Sequence, residues 1–395
     1  MQKILFAFLS VSKFFRKIAF AITGKKEKDV FDQRIVSGKA WDEFCDQLKL
    51  AGTNLKYAGT PQDAFSQAEG IRYLTRLTRA GLEAFVEYAD PAFPVLKRMV
   101  HETVKMGADN PDNYYFNAQI SGAYEYKITG KRNTVHYMGF FTQNGSYGTT
   151  GGLSPCGVLE GRNLVVENDG SFEIILSKEK KGKNWLKIEN ETGLVMVRQT
   201  FLNRFEEVPA ELHIENMDGR KAPSPVTPKM IDEGLKMASM FVAGAPLLFA
   251  RWAKGFKKHM NELPMFDPDT SNKAGGDANI IYYHSYWHLQ PDEALVITVN
   301  PPECDSWNFQ LNNYWMESLD YRYFNICVSK GTARHEPDGS IRVVVSHTDP
   351  GLPNWINTCN HLEGTMCWRW YRLPEGIQPV QPKCEVMKMD KLKKA

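Results

Sequence analysis

The sequence predicts a mainly β protein with helical additions (α+β): a β-sandwich or jelly-roll-like body, N-terminal helices and a helical insertion. Three observations carry this expectation. Aromatic residues make up 12% of the chain, and large rings fit a pleated, half-buried surface. From Tyr114 onward, short runs alternate apolar and polar residues with the period of a strand. Turn residues separate those runs, as in Asn168-Asp169-Gly170-Ser171 and Pro337-Asp338-Gly339. Many short strands punctuated this way pack as sandwiches or jelly rolls.

Residues 1–28 read as an amphipathic segment. The apolar run Ile4–Leu9 is short, and Lys13, Arg16 and Lys17 break up the residues after it, so no membrane span is predicted. At helical spacing Lys3, Ala7, Ser10, Lys13 and Lys17 share one face, while Ile4, Leu5, Phe8, Phe15, Ala19 and Ile22 fall mostly on the other. That is the pattern of an interfacial helix, so residues 3–22 are expected to meet a membrane surface. A helix docked on its own domain and a cleaved signal are the alternatives.

Residues 29–108 read as helical. Trp41, Phe44, Leu48 and Leu50 lie near one face, and Gly52 is a stop signal. Thr60-Pro61 opens a second helix. The stretch 91–107 is expected to be a third, ended by Gly107. The turn cluster 109–113 begins the first β-rich half, 109–220. The Pro-rich break 221–228 leads a helical insertion, 221–265, which Pro246 is expected to kink or split. The second β-rich half spans 266–382, and 383–395 is a polar, mobile tail. The two halves show no fixed-period repeat.

Hydrophobic residues make up 43% and charged residues 24%, enough for a packed core. With 48 basic and 46 acidic residues there is no basic excess, so nucleic acid is not an expected partner. Seven cysteines (45, 156, 304, 327, 359, 367 and 384) are odd in number, scattered and free of any CxxC pair. They read as reduced thiols in a cytoplasmic protein.

Several long stretches resemble the uncharacterised "twelve-fourteen" family of domains of unknown function. They are YKITGKRNTVHYMGFFTQNGSYG at 126–148, GKNWLKIENETGLVMVRQTFLNRFEEVPAELHIE at 182–215, and much of 292–371. In that last segment DEALVITVNPPECDSWNFQL, NYWMESLDYRYF, HEPDGSIRVVVSHTDPGLPNWI and HLEGTMCWRW match best. The resemblance covers the C-terminal two-thirds of the chain. It implies a sandwich-like body with helical additions and no established reaction.

The chemistry is expected between Trp307 and Tyr371, where polar groups sit among many aromatic rings, as in a pocket for an organic molecule. Glu317 and Asp320 are a candidate carboxylate pair, but a spacing of three puts them on opposite faces of a strand, so joint work requires a turn or helix. His361 comes after a Pro-rich turn and is plausible site material on a rigid scaffold. His284 and His288 share a face by their even spacing, yet a metal needs a third ligand and none is indicated. Glu317, Asp320, His361 and His284 are therefore the catalytic candidates. Trp307, Asn313, Tyr314, Trp315, Tyr321, Trp355, Glu363, Arg369 and His288 are the ligand-binding candidates. On a strand Arg369 faces away from Trp368 and Trp370, which leaves a surface ion pair as the plain alternative to anion binding. The glycine-rich stretch 145–157 fits neither a phosphate loop nor a dinucleotide fingerprint. No metal or cofactor is expected.

The first functional expectation is binding or processing of a lipophilic small molecule (a lipid, a sterol or an aromatic compound) in a pocket of the sandwich, at a membrane surface if residues 3–22 attach there. The second is a general acid–base enzyme acting on such a molecule. The third is a carbohydrate-binding sandwich, which requires Trp307, Trp315 and Trp355 to be exposed platforms.

Overall fold

Local chemistry sets the N-terminal helices. The computed structural model describes residues 27–145, 154–219, 221–273 and 276–392. The segment 3–22 and most of 145–157 lie outside the described residues. Helix α1 spans Glu27–Val36, and α2 spans Lys39–Ala51 with Ala40, Phe44 and Ala51 buried. Helix α3, Ala64–Leu82, starts one turn after Thr60-Pro61, because the Asp63 carboxylate accepts from Ser66 N at 2.9 Å and caps it. A π-helical turn, Glu83–Glu87, ends it.

The helix expected over 91–107 does not form. Pro91 and Pro94 disfavour helical backbone at the residues before them, and Lys97–Val100 pairs instead as strand β1 on β2, Asn113–Gln119. The chain then builds β3 (Tyr126–Lys131), β4 (Tyr137–Asn144), β5 (Ser154–Glu160), β6 (Ser171–Ser177), β7 (Trp185–Lys187), β8 (Thr192–Thr200) and β9 (Glu211–Asn216). The sheets β1-β2-β8-β4-β5 and β7-β6-β3-β9 close over one core, in which Ile128, Phe140, Ile174, Leu186, Val195 and Ile214 are buried.

Helix α4, Pro228–Phe256, comes next, with the Thr227 side chain accepting from Met230 N at its start. Pro246 does not split it. The residue is buried within one continuous helix, whose apolar face packs on α2 and α3. The stretch Pro228–His259 is long and apolar enough to cross a membrane by length and composition, yet half of its apolar window is buried in the protein, as for a core helix.

A short helix, α5 (Pro268–Lys273), precedes the second β-rich half. Its strands are β10 (Ile280–His288), β11 (Glu293–Val299), β12 (Ser306–Asn312), β13 (Cys327–Ser329), β14 (Ile341–Ser346), β15 (Trp355–Asn357), β16 (Glu363–Tyr371) and β17 (Lys383–Lys388). Residues 383–388 are thus not tail, since β17 pairs along β11. Sheets β10-β16-β12-β13 and β15-β14-β11-β17 enclose Trp287, Leu295, Phe309, Val343 and Trp368. The protein is mainly β with helical additions, in four open sheets among the described residues.

The two halves share one topology. Taking β2–β9 onto β10–β17 strand by strand reproduces both sheet orders, including the parallel β6–β7 and β14–β15 pairs. Register carries the match down to side chains. Arg198 pairs with Tyr115 in the first half, and Arg369 with Tyr282 in the second, each guanidinium 5.7 Å from its ring. Each tyrosine hydroxyl accepts from the backbone N–H five residues earlier, Asn110 or Asp277. The halves also interlock reciprocally. Arg198 reaches Asp277 at 2.8 Å, while Arg369 donates to the carbonyl of Ala108, beside the Asn110 turn. The repeat escaped the sequence because few of its residues coincide, whereas hydrogen-bonded register preserves it.

Helices α2, α3 and α4 pack mainly on the second sandwich, with Met99 of β1 at the margin of their core. They share a core with Tyr286, Tyr314, Trp315 and Met316 on the outer side of the β10-β16-β12-β13 sheet.

Candidate functional site

The loop after β12 is folded around one side chain. Asn313 Oδ1 accepts from Trp315 N at 3.0 Å and Glu317 N at 3.1 Å, and its own backbone N–H donates to Glu317 O at 2.9 Å. This tight turn holds Met316 at φ 58, a left-handed conformation that costs a bulky residue energy and needs external support. Support comes from the helices. Trp315 Nε1 donates to Ser66 O on α3 at 3.0 Å, and the Tyr314 hydroxyl donates to Ala250 O on α4 at 3.3 Å. Gly70 is required beneath the indole, since a Cβ there would lie 2.7 Å from the Trp315 ring.

The turn points the Glu317 carboxylate into the protein. Arg76 Nη1 meets it at 2.6 Å, and Asn313 Nδ2 donates to its Oε2 at 3.0 Å. Burial pushes this carboxyl above the ordinary glutamate value, against the pull of Arg76. The same Asn313 nitrogen lies 3.2 Å from Oε2 of Glu69 on α3.

Glu69 in turn meets His361, with Nε2 to Oε2 at 2.7 Å. The other imidazole nitrogen, Nδ1, lies 2.9 Å from the carbonyl of Thr358. A carbonyl only accepts, so Nδ1 carries a hydrogen. The contact on the other side of the ring then needs a second proton between Nε2 and the carboxylate. The pair therefore holds one transferable proton, shared by a histidine and a glutamate that are each less than a tenth exposed. Burial raises the Glu69 carboxyl, but the hydrogen bond and charge of His361, together with Arg72 and Asn313, outweigh it and leave Glu69 below the ordinary value. Phe65 sets its ring edge-on to the imidazole, with centroids 4.8 Å apart.

A second polar layer lies behind the loop. Lys105 Nζ donates to Ser318 O and Leu319 O at 2.8 and 2.7 Å, and burial lowers its pKa although Asp109, Glu317 and Asp320 pull it up. Asp109 accepts from Ser318 N and Oγ, and burial raises it. The buried Tyr73 hydroxyl has no hydrogen-bond partner among the described residues; burial, then the charges of Glu317 and Asp109, push its pKa up.

The remaining sequence candidates are placed elsewhere. Asp320 does not pair with Glu317; it turns to Arg322, at 2.7 Å, and that hydrogen bond lowers its pKa. Glu317 finds its partner carboxylate in Glu69, through Asn313. His284 stacks between Tyr282 and Phe256 with interplanar angles of 5° and 6°. Burial pushes its pKa down to about 3, which keeps the ring neutral. Cys367 Sγ lies 3.9 Å away, but burial pushes that thiol up to about 11, so this is no activated nucleophile. His288 stands at the rim with Gln290 and Glu363, and Glu363 also meets Lys257. Among the described residues no three His, Cys, Asp or Glu side chains are placed to share a metal ion.

Arg369 does face away from Trp368 and Trp370, but it is no surface ion pair. It is buried on Gln310, at 2.7 Å, and Asn308. Trp307 stacks on Trp368 inside the second sandwich, with centroids 5.0 Å apart, as part of its core. Tyr321 lies under Lys105 Nζ at 4.4 Å. Trp355 is half-buried, with Nε1 on Ser346 O. Glu69, Arg72, Tyr73 and Arg76 escaped the sequence reading. The signal that could have found them was a polar stripe on the face of α3 that also buries Leu77 and Ala80.

The family model described as a protein of unknown function (DUF1214) matches residues 152–201, from just before β5 to just past β8. An uncharacterised protein of known crystal structure from Burkholderia cenocepacia is 47% identical to the chain. The match covers 91% of this chain and 99% of that one, with a TM-score of 0.88. The VPA0106 protein from Vibrio parahaemolyticus is 11% identical over 87% of this chain and 100% of that one, with a TM-score of 0.45. No curated protein matches the chain. On its likeness to the Burkholderia protein, with the family segment lying inside the first sandwich, the chain belongs to the DUF1214 family of proteins of unknown function.

Proposed function

We propose that the protein binds and processes a lipophilic small molecule by general acid–base chemistry, at the seam between α3 and the second sandwich. One observation carries the reading: His361 is held between an obligate acceptor, Thr358 O, and the Glu69 carboxylate, so the pair keeps a transferable proton in place. Glu69 is the group that meets substrate. Its Oε2 is taken by His361 and Asn313, while among the described residues Oε1 is bonded only to Arg72, which is half exposed. His361 positions Glu69 and balances its charge. Glu317, raised by burial, stands behind as the second carboxyl. The apolar part of the substrate packs on Phe65 and Leu362, both about half exposed beside His361.

A carbohydrate platform finds less support, because Trp307 and Trp315 are each 1% exposed. The amphipathic pattern over residues 3–22 suits a cytoplasmic protein that takes such substrates from a membrane surface. The test is native mass spectrometry of the full chain, then extraction and incubation of whatever apolar compound travels with it. Conversion by the wild type but not by Glu69→Gln supports the reading. A compound held unchanged by both would replace catalysis with carriage.

A further inference from the structure

We infer that the molecule handled at this site is an organic anion: an apolar body bearing a carboxylate, which Arg72 grips. The inference rests on the acid–base reading of Glu69 and His361 and adds the charge of the substrate. The first argument is charge balance. Arg72, Arg76 and a doubly protonated His361 face Glu69 and Glu317. If the shared proton sits on Glu69 instead, Arg72 and Arg76 face Glu317 alone. One positive charge is in excess either way, so the sign does not depend on where the proton lies. A partly buried excess charge of this kind favours a bound counter-charge.

The second argument is where that excess is available. Arg76 is spent, since its side chain is 13% exposed and lies on the buried Glu317. Arg72 is not. Its side chain is 54% exposed, and Nη2 alone donates, to Glu69 Oε1 at 3.0 Å. Its other guanidinium N–H groups make no hydrogen bond within the described residues, which leaves a planar fork that suits both oxygens of a carboxylate.

The third argument is the surface beside it. Phe65, Glu69 and Arg72 recur at i, i+4 and i+7, so they share one stripe of α3. Phe65 is 47% exposed although its ring is fixed against His361. A ligand gripped by Arg72 runs along this stripe, past Glu69 Oε1, with its apolar body over Phe65.

The probes are octanoate and octan-1-ol, which share an apolar chain and differ in charge, titrated calorimetrically into the full-length protein. Octanoate should bind at least about tenfold more tightly than the alcohol, the worth of one charge-assisted pair. Arg72→Gln, an exposed change that leaves the fold intact, should erase that preference, whereas Phe65→Ala should weaken both ligands. Glu69→Gln should keep the preference or increase it, because a like charge is removed. Equal binding of the two probes, a preference that survives Arg72→Gln, or no saturable octanoate binding overturns the inference. None of these outcomes bears on proton transfer, which stands or falls on the Glu69→Gln conversion experiment.

Discussion

The carboxamide nitrogen of Asn313 lies 3.0 Å from Oε2 of Glu317 and 3.2 Å from Oε2 of Glu69, so one donor bridges carboxylates brought from a β-sandwich loop and a helix. Asn313→Asp exchanges that donor for a third negative group. At pH 7 the variant should lose about 3 kcal/mol of stability, the scale of an uncompensated buried charge. Stability should recover on acidification, as one carboxyl of the three takes a proton. Urea unfolding at pH 7 and pH 5 checks this; a variant as stable as wild type at pH 7 would contradict the bridge.

Arg76 is the only arginine bonded to Glu317 among the described residues. Arg76→Ala leaves a buried carboxylate unpaired and should cost about 3–5 kcal/mol. Adding Glu317→Gln removes the stranded charge, so the double variant should be more stable than the single one. Additive losses in this double-mutant cycle would show that the two side chains are not coupled.

The Glu69 carboxyl lies below its ordinary value of 4.5 chiefly because His361 offsets its burial. A depressed carboxyl contributes stability above its unfolded value and loses it as pH falls through the folded one. His361→Ala should therefore be most costly near neutrality, and its deficit should shrink below pH 4.5. Chemical denaturation at three pH values reads this out. A deficit independent of pH would mean the histidine acts by packing alone.

The His284 pKa is also lowered, but there burial holds the group neutral rather than charged. Its folded pKa falls from 6.5 to about 3 because burial disfavours the cation. The neutral ring gives full stability above pH 6.5, and stability drops as pH falls from there toward 3. The slope approaches about 1.4 kcal/mol per pH unit. Its Nδ1 has no hydrogen-bond partner among the described residues, and its faces lie on Tyr282 and Phe256. His284→Phe should hence fold, and should flatten the acid limb of the stability profile. An unchanged acid limb would place the titration elsewhere.

Parts of the site were legible in the sequence. Glu317, His361 and Asn313 lie in the stretch where aromatic and polar residues mingle; Asn313 touches Glu317, and His361 joins them through Glu69. The even spacing of His284 and His288 did place both on one face of β10, and the alternation of β16 did turn Arg369 away from its flanking tryptophans. Trp307 lies in the core between the sheets, and an aromatic residue on a strand reads the same whether its face meets a ligand or the opposite sheet. Glu317 and Asp320 were coupled by nearness in sequence, yet the Met316 turn sends one inward and leaves the other on Arg322.

Neighbours along the chain were enough to set the strand period from Tyr114, the turn chemistry and the membership of a family, whereas of the face expected on α2 Phe44 is buried but Trp41 and Leu50 stay exposed. Properties that depend on distant contacts had to wait for the packed fold. Packing set β1 in place of a third helix, because pairing with β2 outweighs local helical pattern. It repeated an eight-strand topology through register rather than identity. It also brought α3 onto the second sandwich, where Glu69 meets a histidine 292 residues away. A carboxylate's chemistry is set by what desolvates it and what hydrogen-bonds it, and for Glu69 and Glu317 those groups come together only when the helices pack.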